Sequence, residues 1–252
     1  MKKLKWLLGS ICVLTVVSNT LAQSFLTNGL MAYYPFNGNA NDASGNGFSG
    51  TLNGATLATD RFGNTNSAYY FSGSHNWIDL PFGVGNYTSI TYSAWVLFTN
   101  YSQYAAILGS RSASGNFKGL ATTTTGLLLD CSPEIPDLTN VVNQALVSDG
   151  RWHQICGICD GASMQIYFDG IRKYYKAEPT YTFQIGENFK IGWDSTDFGR
   201  FFTGLIDDVR FYSRALSSNE VSQLYAVESQ PALRLTQDLT NFYALNGQNA
   251  TI

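Results

Sequence analysis

Apolar residues recur at every second position in short runs along most of this chain, and those runs predict strands. Leu30, Ala32, Tyr34 and Phe36 alternate in Gly29–Phe36, and Ile90, Tyr92, Ala94, Val96 and Phe98 make one apolar face of Ser89–Phe98. Shorter runs of the same kind fall at Gly50–Leu52, Ala68–Ser72, Trp77–Leu80, Ala105–Gly109, Gly119–Thr122 and Gly126–Cys131. Trp152–Cys159 and Ser163–Phe168 flank Asp160-Gly161, and Asp169-Gly170 leads into Ile171–Ala177; both dipeptides are hairpin turn signals. Phe189–Gly192 and a closing strand in Phe202–Leu216 complete the set. A single helix is well signalled: Ser217-Ser218-Asn219-Glu220 has the spacing of a capping box, with Val221, Leu224 and Tyr225 at helical intervals after it. It is short and is expected to cap one end of the strands. Many short strands without helical crossovers predict an all-β fold, an antiparallel β-sandwich of jelly-roll type with one short C-terminal helix.

The stretch Phe202–Leu216 poses the sharpest local question. A regular strand puts Leu205, Val209 and Phe211 on one face, and Asp207 falls on that face with them. A buried carboxylate must find a cation, a set of backbone N–H donors, or a bend that returns it to water. Asp208, on the opposite face, is expected to meet solvent, so that Asp207→Asn costs stability and Asp208→Asn little.

Composition narrows the class. Lys2, Lys3 and Lys5 precede an apolar run from Trp6 to Val17, and Thr20-Leu21-Ala22 supplies small residues before Gln23, the pattern of a cleaved export signal over residues 1–22. Taking those three lysines from 15 basic residues leaves 12 against 18 acidic ones, a net charge near −6, which excludes charge-driven binding to nucleic acid or anionic lipid. An export route also makes a disulfide the expected state of a suitable cysteine pair. Cys156 and Cys159 lie on opposite faces of one strand, so Cys131 is expected to pair with one of them and leave the other as a buried thiol. The texture changes after Glu228: residues 229–252 read as a linker, followed by the opening of an immunoglobulin-like β module, a trailing strand or a disordered end. One sandwich domain is expected over 23–228.

Segment by segment the chain resembles a known family. Leu30–Gly47, Gly54–Gly63, Ala68–Gly73, Tyr92–Val96, Asp149–His153, Tyr167–Gly170 and Gly204–Leu216 follow, in order, the pattern of the laminin-G-like, concanavalin A-like lectin/glucanase jelly-roll modules of exported bacterial proteins. The resemblance implies two curved antiparallel sheets with first and last strands adjacent, and a structural calcium near where they meet. Calcium takes six to eight oxygens; Asp42 and Asp207 are the implied main ligands, with Asn37 and a carbonyl near Ser44 as lesser ones. Asn37 stands where relatives often carry an acid.

A sugar site needs an aromatic platform beside hydroxyl-reading polar groups on loops or at a sheet rim. Two candidates meet that description, Trp193 with Asp194 and Asp197, and Tyr101 with Tyr104 and Arg111. Trp95 and Trp152 read as core. Catalysis has no comparable support. No strand carries alternating acids that converge as glycosidase carboxylates do, Glu134 and Asp137 sit in a Pro-bracketed loop, and no nucleophile elbow or phosphate-cradling glycine loop is present. The expectation is an exported, non-catalytic module that binds carbohydrate or a glycosylated surface, on its own or within a longer surface protein. The alternatives are a structural spacer or protein-interaction module, and a glycan-active enzyme whose site has no recognised pattern.

Overall fold

The computed structural model describes residues 26–101, 104–112, 114–131, 142–177, 182–194 and 199–231. The leader 1–22, Glu134, Asp137, Asp197 and the tail beyond Pro231 lie outside the described residues.

Among the described residues sixteen strands and two helices follow one another. The first seven strands are β1 (Leu30–Tyr34), β2 (Thr51–Asn53), β3 (Thr56–Ala58), β4 (Ala68–Ser72), β5 (Trp77–Asp79), β6 (Gly85–Tyr87) and β7 (Ile90–Phe98). The middle of the chain forms β8 (Ala106–Arg111), β9 (Phe117–Thr122), β10 (Leu127–Asp130) and helix α1 (Gln144–Val147). Then come β11 (His153–Cys159), β12 (Ser163–Phe168), β13 (Ile171–Ala177), β14 (Phe183–Ile185), β15 (Lys190–Ile191), β16 (Thr203–Tyr212) and helix α2 (Ser218–Glu228). Strands β3, β6 and β14 and helix α1 carry no signal in the sequence pattern; each spans three or four residues.

All strand pairing between named strands is antiparallel. One sheet runs β13-β12-β11-β7-β16-β4-β3 with β1 also on β16, a second runs β10-β9-β8-β15-β5-β2, and β14 pairs with β6 apart from both. The main core unites Tyr92, Ala94, Val96, Ile206, Val209 and Phe211 of the first sheet with Ile78, Leu108, Leu120, Leu129 and Ile191 of the second. The fold is thus the two-sheet sandwich that the alternation predicts. Both hairpin signals hold, and Asp169 (φ 50°) and Gly170 (φ 72°) form the paired left-handed turn that lets β12 return as β13. Cys131 and Cys159 form a disulfide between the segment after β10 and the end of β11, while Cys156 is a buried free thiol. Cys159 lies in the main core, and Cys156 belongs to a second cluster on the opposite face of the strand.

That second cluster corrects the place expected for the helix. The capping box forms, with Ser217 Oγ accepting from Glu220 N and Glu220 Oε2 accepting from Ser217 N. The helix does not cap a strand end, however. Val221 and Leu224 pack on Cys156, Ile158, Tyr167 and Tyr212, so α2 covers the outer face of the eight-stranded sheet. Trp95, read from the sequence as core, is buried under this helix, its ring stacked on Tyr225 with centroids 5.7 Å apart.

Strand β16 organises the closure. Thr203–Ile206 pairs with β4, Val209–Tyr212 pairs with β1, and β7 lines its other edge. The register slips between Asp207 and Arg210, with Asp208 at φ 44°. This bulge moves the buried set from even to odd positions. Ile206 therefore enters the core, Leu205 faces outward half-exposed, and Val209 and Phe211 return to the core. Strict alternation put Leu205 inside and could not foresee the slip.

Candidate functional site

Two places outside the core gather polar and aromatic side chains. The first lies at the β16 bulge, on the face covered by α2. Asp207 is 2 % exposed, and its cation is Arg61, whose Nη1 donates to Asp207 Oδ2 at 2.7 Å. Nη2 of the same guanidinium reaches Asp208 Oδ2 at 2.6 Å and the Glu228 carbonyl at 2.7 Å, and Nε reaches that carbonyl at 3.1 Å. Asp208 is therefore no solvent-facing residue: its other oxygen accepts from the Tyr33 hydroxyl at 2.6 Å, and its side chain is 13 % exposed. The Glu228 carboxylate accepts from Trp95 Nε1 (2.9 Å), Gln154 Nε2 (2.8 Å) and Arg210 Nε (2.7 Å). Three carboxylates share two guanidiniums here. Burial, and then the neighbouring Asp208, push the Asp207 carboxyl upward against the pull of Arg61.

These donor sets decide how well the residues suit a calcium. Asp42 Oδ1 accepts from Tyr33 N (3.0 Å) and Ser44 N (2.8 Å), and Oδ2 accepts from Phe48 N (3.0 Å) and Ser44 Oγ (2.8 Å). Four donors fill the four lone-pair sites of one carboxylate. They outweigh the burial that would raise the Asp42 pKa and hold it below the usual carboxylate range. The Met31 carbonyl, 3.1 Å from Ser44 Oγ, is the alternative acceptor for that hydroxyl's one proton, and Asn37 stands exposed with its carbonyl turned to Asn39 Nδ2 at 3.5 Å. Asp42 and Asp207 thus have separate partners and no shared donor. The residues do not fit a calcium held jointly by the pair. Arg61 is the participant that the sequence pattern missed; its one signal was its place in the Asp60–Gly63 turn, where Asp60 Oδ1 caps Phe62 N and Asn64 N at 2.8 Å each.

The second place is the outer face of the six-stranded sheet. Register puts Thr51, Asp79 and Lys190 in one row across β2, β5 and β15, and Asn53 beside Trp77 two rows on, on the same face. Asp79 is bridged to Lys190 Nζ at 2.8 Å and accepts from Asn53 Nδ2 at 2.9 Å, with its side chain still 41 % exposed. Just past β15, Gly192 turns at φ 87°, where a Cβ would meet the Phe71 ring at 2.5 Å, and its carbonyl accepts from Phe202 N at 2.9 Å. That turn sets Trp193 beside Phe201 (centroids 5.4 Å, interplanar 18°) and against Trp77 (4.6 Å, 46°), with exposed His75 on Phe201 at 5.2 Å. Lys190 Nζ lies 5.8 Å from the Trp193 ring centre.

The two loops nominated from sequence converge in part. Asp194, 2 % exposed, accepts from Arg111 Nη2 at 3.3 Å and Arg200 Nη1 at 3.4 Å, and its carbonyl accepts from Arg111 Nε at 2.9 Å. Arg200 in turn lies 5.5 Å from the Tyr104 ring centre. Trp193, Asp194, Arg111 and Tyr104 are therefore neighbours. Tyr101 stands apart, packed on Phe98 with its hydroxyl set between the Thr123 and Gly126 carbonyls, either of which can accept its one proton. Burial pushes that phenol up to about 12 against the bonding to those carbonyls. Trp77, Phe201, Lys190, Asp79 and Asn53 escaped the sequence reading because cross-strand register, not spacing along the chain, brings them together. His153 bridges Asp169 (Nδ1, 2.8 Å) and Asp149 (Nε2, 3.0 Å) and stacks on Phe168. It is engaged as a clamp between two turns. Among the described residues no group of three or more His, Cys, Asp or Glu side chains is gathered for a metal.

A two-sheet antiparallel jelly roll, with one outer face under a helix and the other carrying half-exposed tryptophans, defines a lectin-type sandwich as the class of fold. The comparisons agree. The chain belongs to the concanavalin A-like lectin/glucanases superfamily, whose profile matches residues 71–222, more than half of its length. No curated protein sequence matches it. Among solved structures it is similar to domain 4 of AbnA, a GH43 extracellular arabinanase from Geobacillus stearothermophilus, in complex with arabinotriose. That match has TM-score 0.60 and 22 % identity, over 78 % of this chain and 98 % of that one. It is also similar to the binding domain of Paraclostridial mosquitocidal protein 1 (TM-score 0.63, 15 % identity, 81 % and 53 % coverage). A third is the ligand binding domain of botulinum neurotoxin serotype D in complex with N-acetylneuraminic acid (TM-score 0.55, 16 % identity, 82 % and 53 % coverage). The chain spans about half the length of those two toxin domains.

Proposed function

We propose that the mature chain is an exported, non-catalytic module that binds carbohydrate on the outer face of its six-stranded sheet. The observation that carries this reading is the Trp77–Trp193–Phe201 cluster bordered by Asp79, Lys190 and Asn53. A sugar presents an apolar C–H face to an aromatic ring and hydroxyls to charged or amide groups at its rim. Here the rim groups are already bonded to one another, so little ordering entropy is lost when they turn to a ligand. The arabinotriose and N-acetylneuraminic acid bound by two structural neighbours support carbohydrate as the ligand class. The carboxylates do not resemble a hydrolytic pair, because Asp207, Asp208 and Glu228 are sealed under α2 with Arg61 and Arg210.

A glycan array with the mature chain tests the reading. Discrete hits are expected, and Trp193→Ala should weaken them roughly tenfold, the loss of one stacking contact of about 1.4 kcal/mol, with the circular-dichroism spectrum unchanged. A blank array returns the chain to the spacer class, turnover of a bound glycan makes it an enzyme, and hits indifferent to Trp193 move the site elsewhere.

A further inference from the structure

At Asp207 and Asp208, strand β16 has no strand partner on one edge, because its pairing with β4 ends at Ile206 and its pairing with β1 begins at Val209. The bulge there turns two adjacent carboxylates toward the same outer side, and both engage Arg61. The guanidinium meets two carboxylate oxygens and one main-chain carbonyl, that of Glu228. These are the oxygen types that hold a calcium ion. It is packed between the rings of Phe62 (4.5 Å) and Trp95 (4.4 Å), and its side chain is 7 % exposed. The carbonyl it meets ends the eleven-residue helix α2, which has no basic residue in its own last turn to offset the negative end of its dipole.

We propose that Arg61 is the built-in cation of this strand closure, taking the part that a bound metal would otherwise play. One planar group fastens the β3–β4 loop, the β16 bulge and the end of α2 together, and the fork of a guanidinium reaches three acceptors that an ammonium cannot reach at once. Two consequences are specific. The mature chain keeps its stability without divalent cations, and loss of Arg61 leaves behind an oxygen-lined cation site made of Asp207, Asp208 and the Glu228 carbonyl.

Thermal unfolding of the mature chain in EDTA and in millimolar calcium, with Arg61→Ala and Arg61→Lys in parallel, tests this. The wild-type midpoint should be the same in both buffers. Arg61→Ala should unfold on the order of 10 °C lower and recover part of that loss on adding calcium or methylguanidinium, while Arg61→Lys should fall between. A wild-type midpoint that drops in EDTA overturns the proposal. So does an Arg61→Ala midpoint equal to wild type, or one that neither cation raises, which would make Arg61 a packing residue. Should Arg61→Ala fail to fold, the wild-type comparison decides alone on the metal and Arg61→Lys on the fork: a lysine variant as stable as wild type rejects it.

Discussion

Replacing Glu228 by Leu should be among the most damaging single changes on the covered face, and its cost can be worked from the contacts. Glu228 is 5 % exposed and Arg210 8 %, and the two form an ion pair at 2.7 Å. Glu228→Leu leaves the Arg210 guanidinium buried against the Tyr33 ring, 3.5 Å from its centre, without its anion. Removing one member of a buried pair costs about 3–5 kcal/mol. The change also strips acceptors from Trp95 Nε1 and Gln154 Nε2, at about 1–3 kcal/mol for a buried donor left unmade. A loss near 4 kcal/mol lowers the melting midpoint by about 8–16 °C in a domain of this size. Arg210→Met alone should cost less, since the carboxylate keeps two neutral donors. The double variant should recover much of the loss, because an apolar pair of similar volume removes both desolvation penalties. Guanidinium-chloride unfolding at neutral pH reads all four states, with unchanged m-values as the check on two-state behaviour. A coupling energy of about 2 kcal/mol or more is expected. Singles below about 1 kcal/mol, or a double variant that is merely additive, would refute the claim that this face is held by buried charge.

Other outcomes follow from the same contacts. Asp208→Asn should destabilise measurably, against the expectation from alternation, because its carboxylate joins Arg61 to Tyr33; an unchanged urea midpoint would contradict this. Reduction of Cys131–Cys159, or Cys131→Ser, should cost about 3–4 kcal/mol for a loop of 28 residues, whereas Cys156 should resist thiol reagents until the chain unfolds, since burial drives its pKa far upward. His153 is pushed down by burial but more strongly up by Asp169 and Asp149, for a net rise. A raised histidine pKa gives stability that is complete below the unfolded value near 6.5 and is lost as pH climbs through the folded one. The melting midpoint should therefore fall across that window, and His153→Gln should flatten the slope. Ser217→Ala removes one half of a capping box and should cost about 1 kcal/mol, read as a small midpoint shift.

The sandwich was legible because its signals are local. Alternation in Ile90–Phe98, the Asp-Gly turns and the capping box each act within ten residues, and each is where the pattern put it. The opposite-face argument for Cys156 and Cys159 held for the same reason. What failed depended on contacts far apart in sequence. Arg61 and Asp207 are separated by 146 positions, so a carboxylate that looked misplaced gave no hint of its partner. The bulge at Asp208 is a left-handed backbone position held by a non-glycine residue, invisible to a period-two reading, and it displaced Leu205 and Ile206 together. Trp193 was nominated as an aromatic platform, but its companions Trp77 and Phe201 reach it only through the Gly192 turn and the β5–β15 register.

The placement of α2 has a consequence for how such a domain can diversify. The helix seals one outer face with Val221, Leu224 and a network of fully engaged charges, where almost any substitution is felt by the fold as a whole. The opposite outer face carries its half-exposed rings and acids on short strands and a turn, far from that network, where changes add independently. Selection can therefore rewrite what the open face recognises while the sealed face keeps the folding free energy constant, a division of labour written into the choice of which sheet the helix covers.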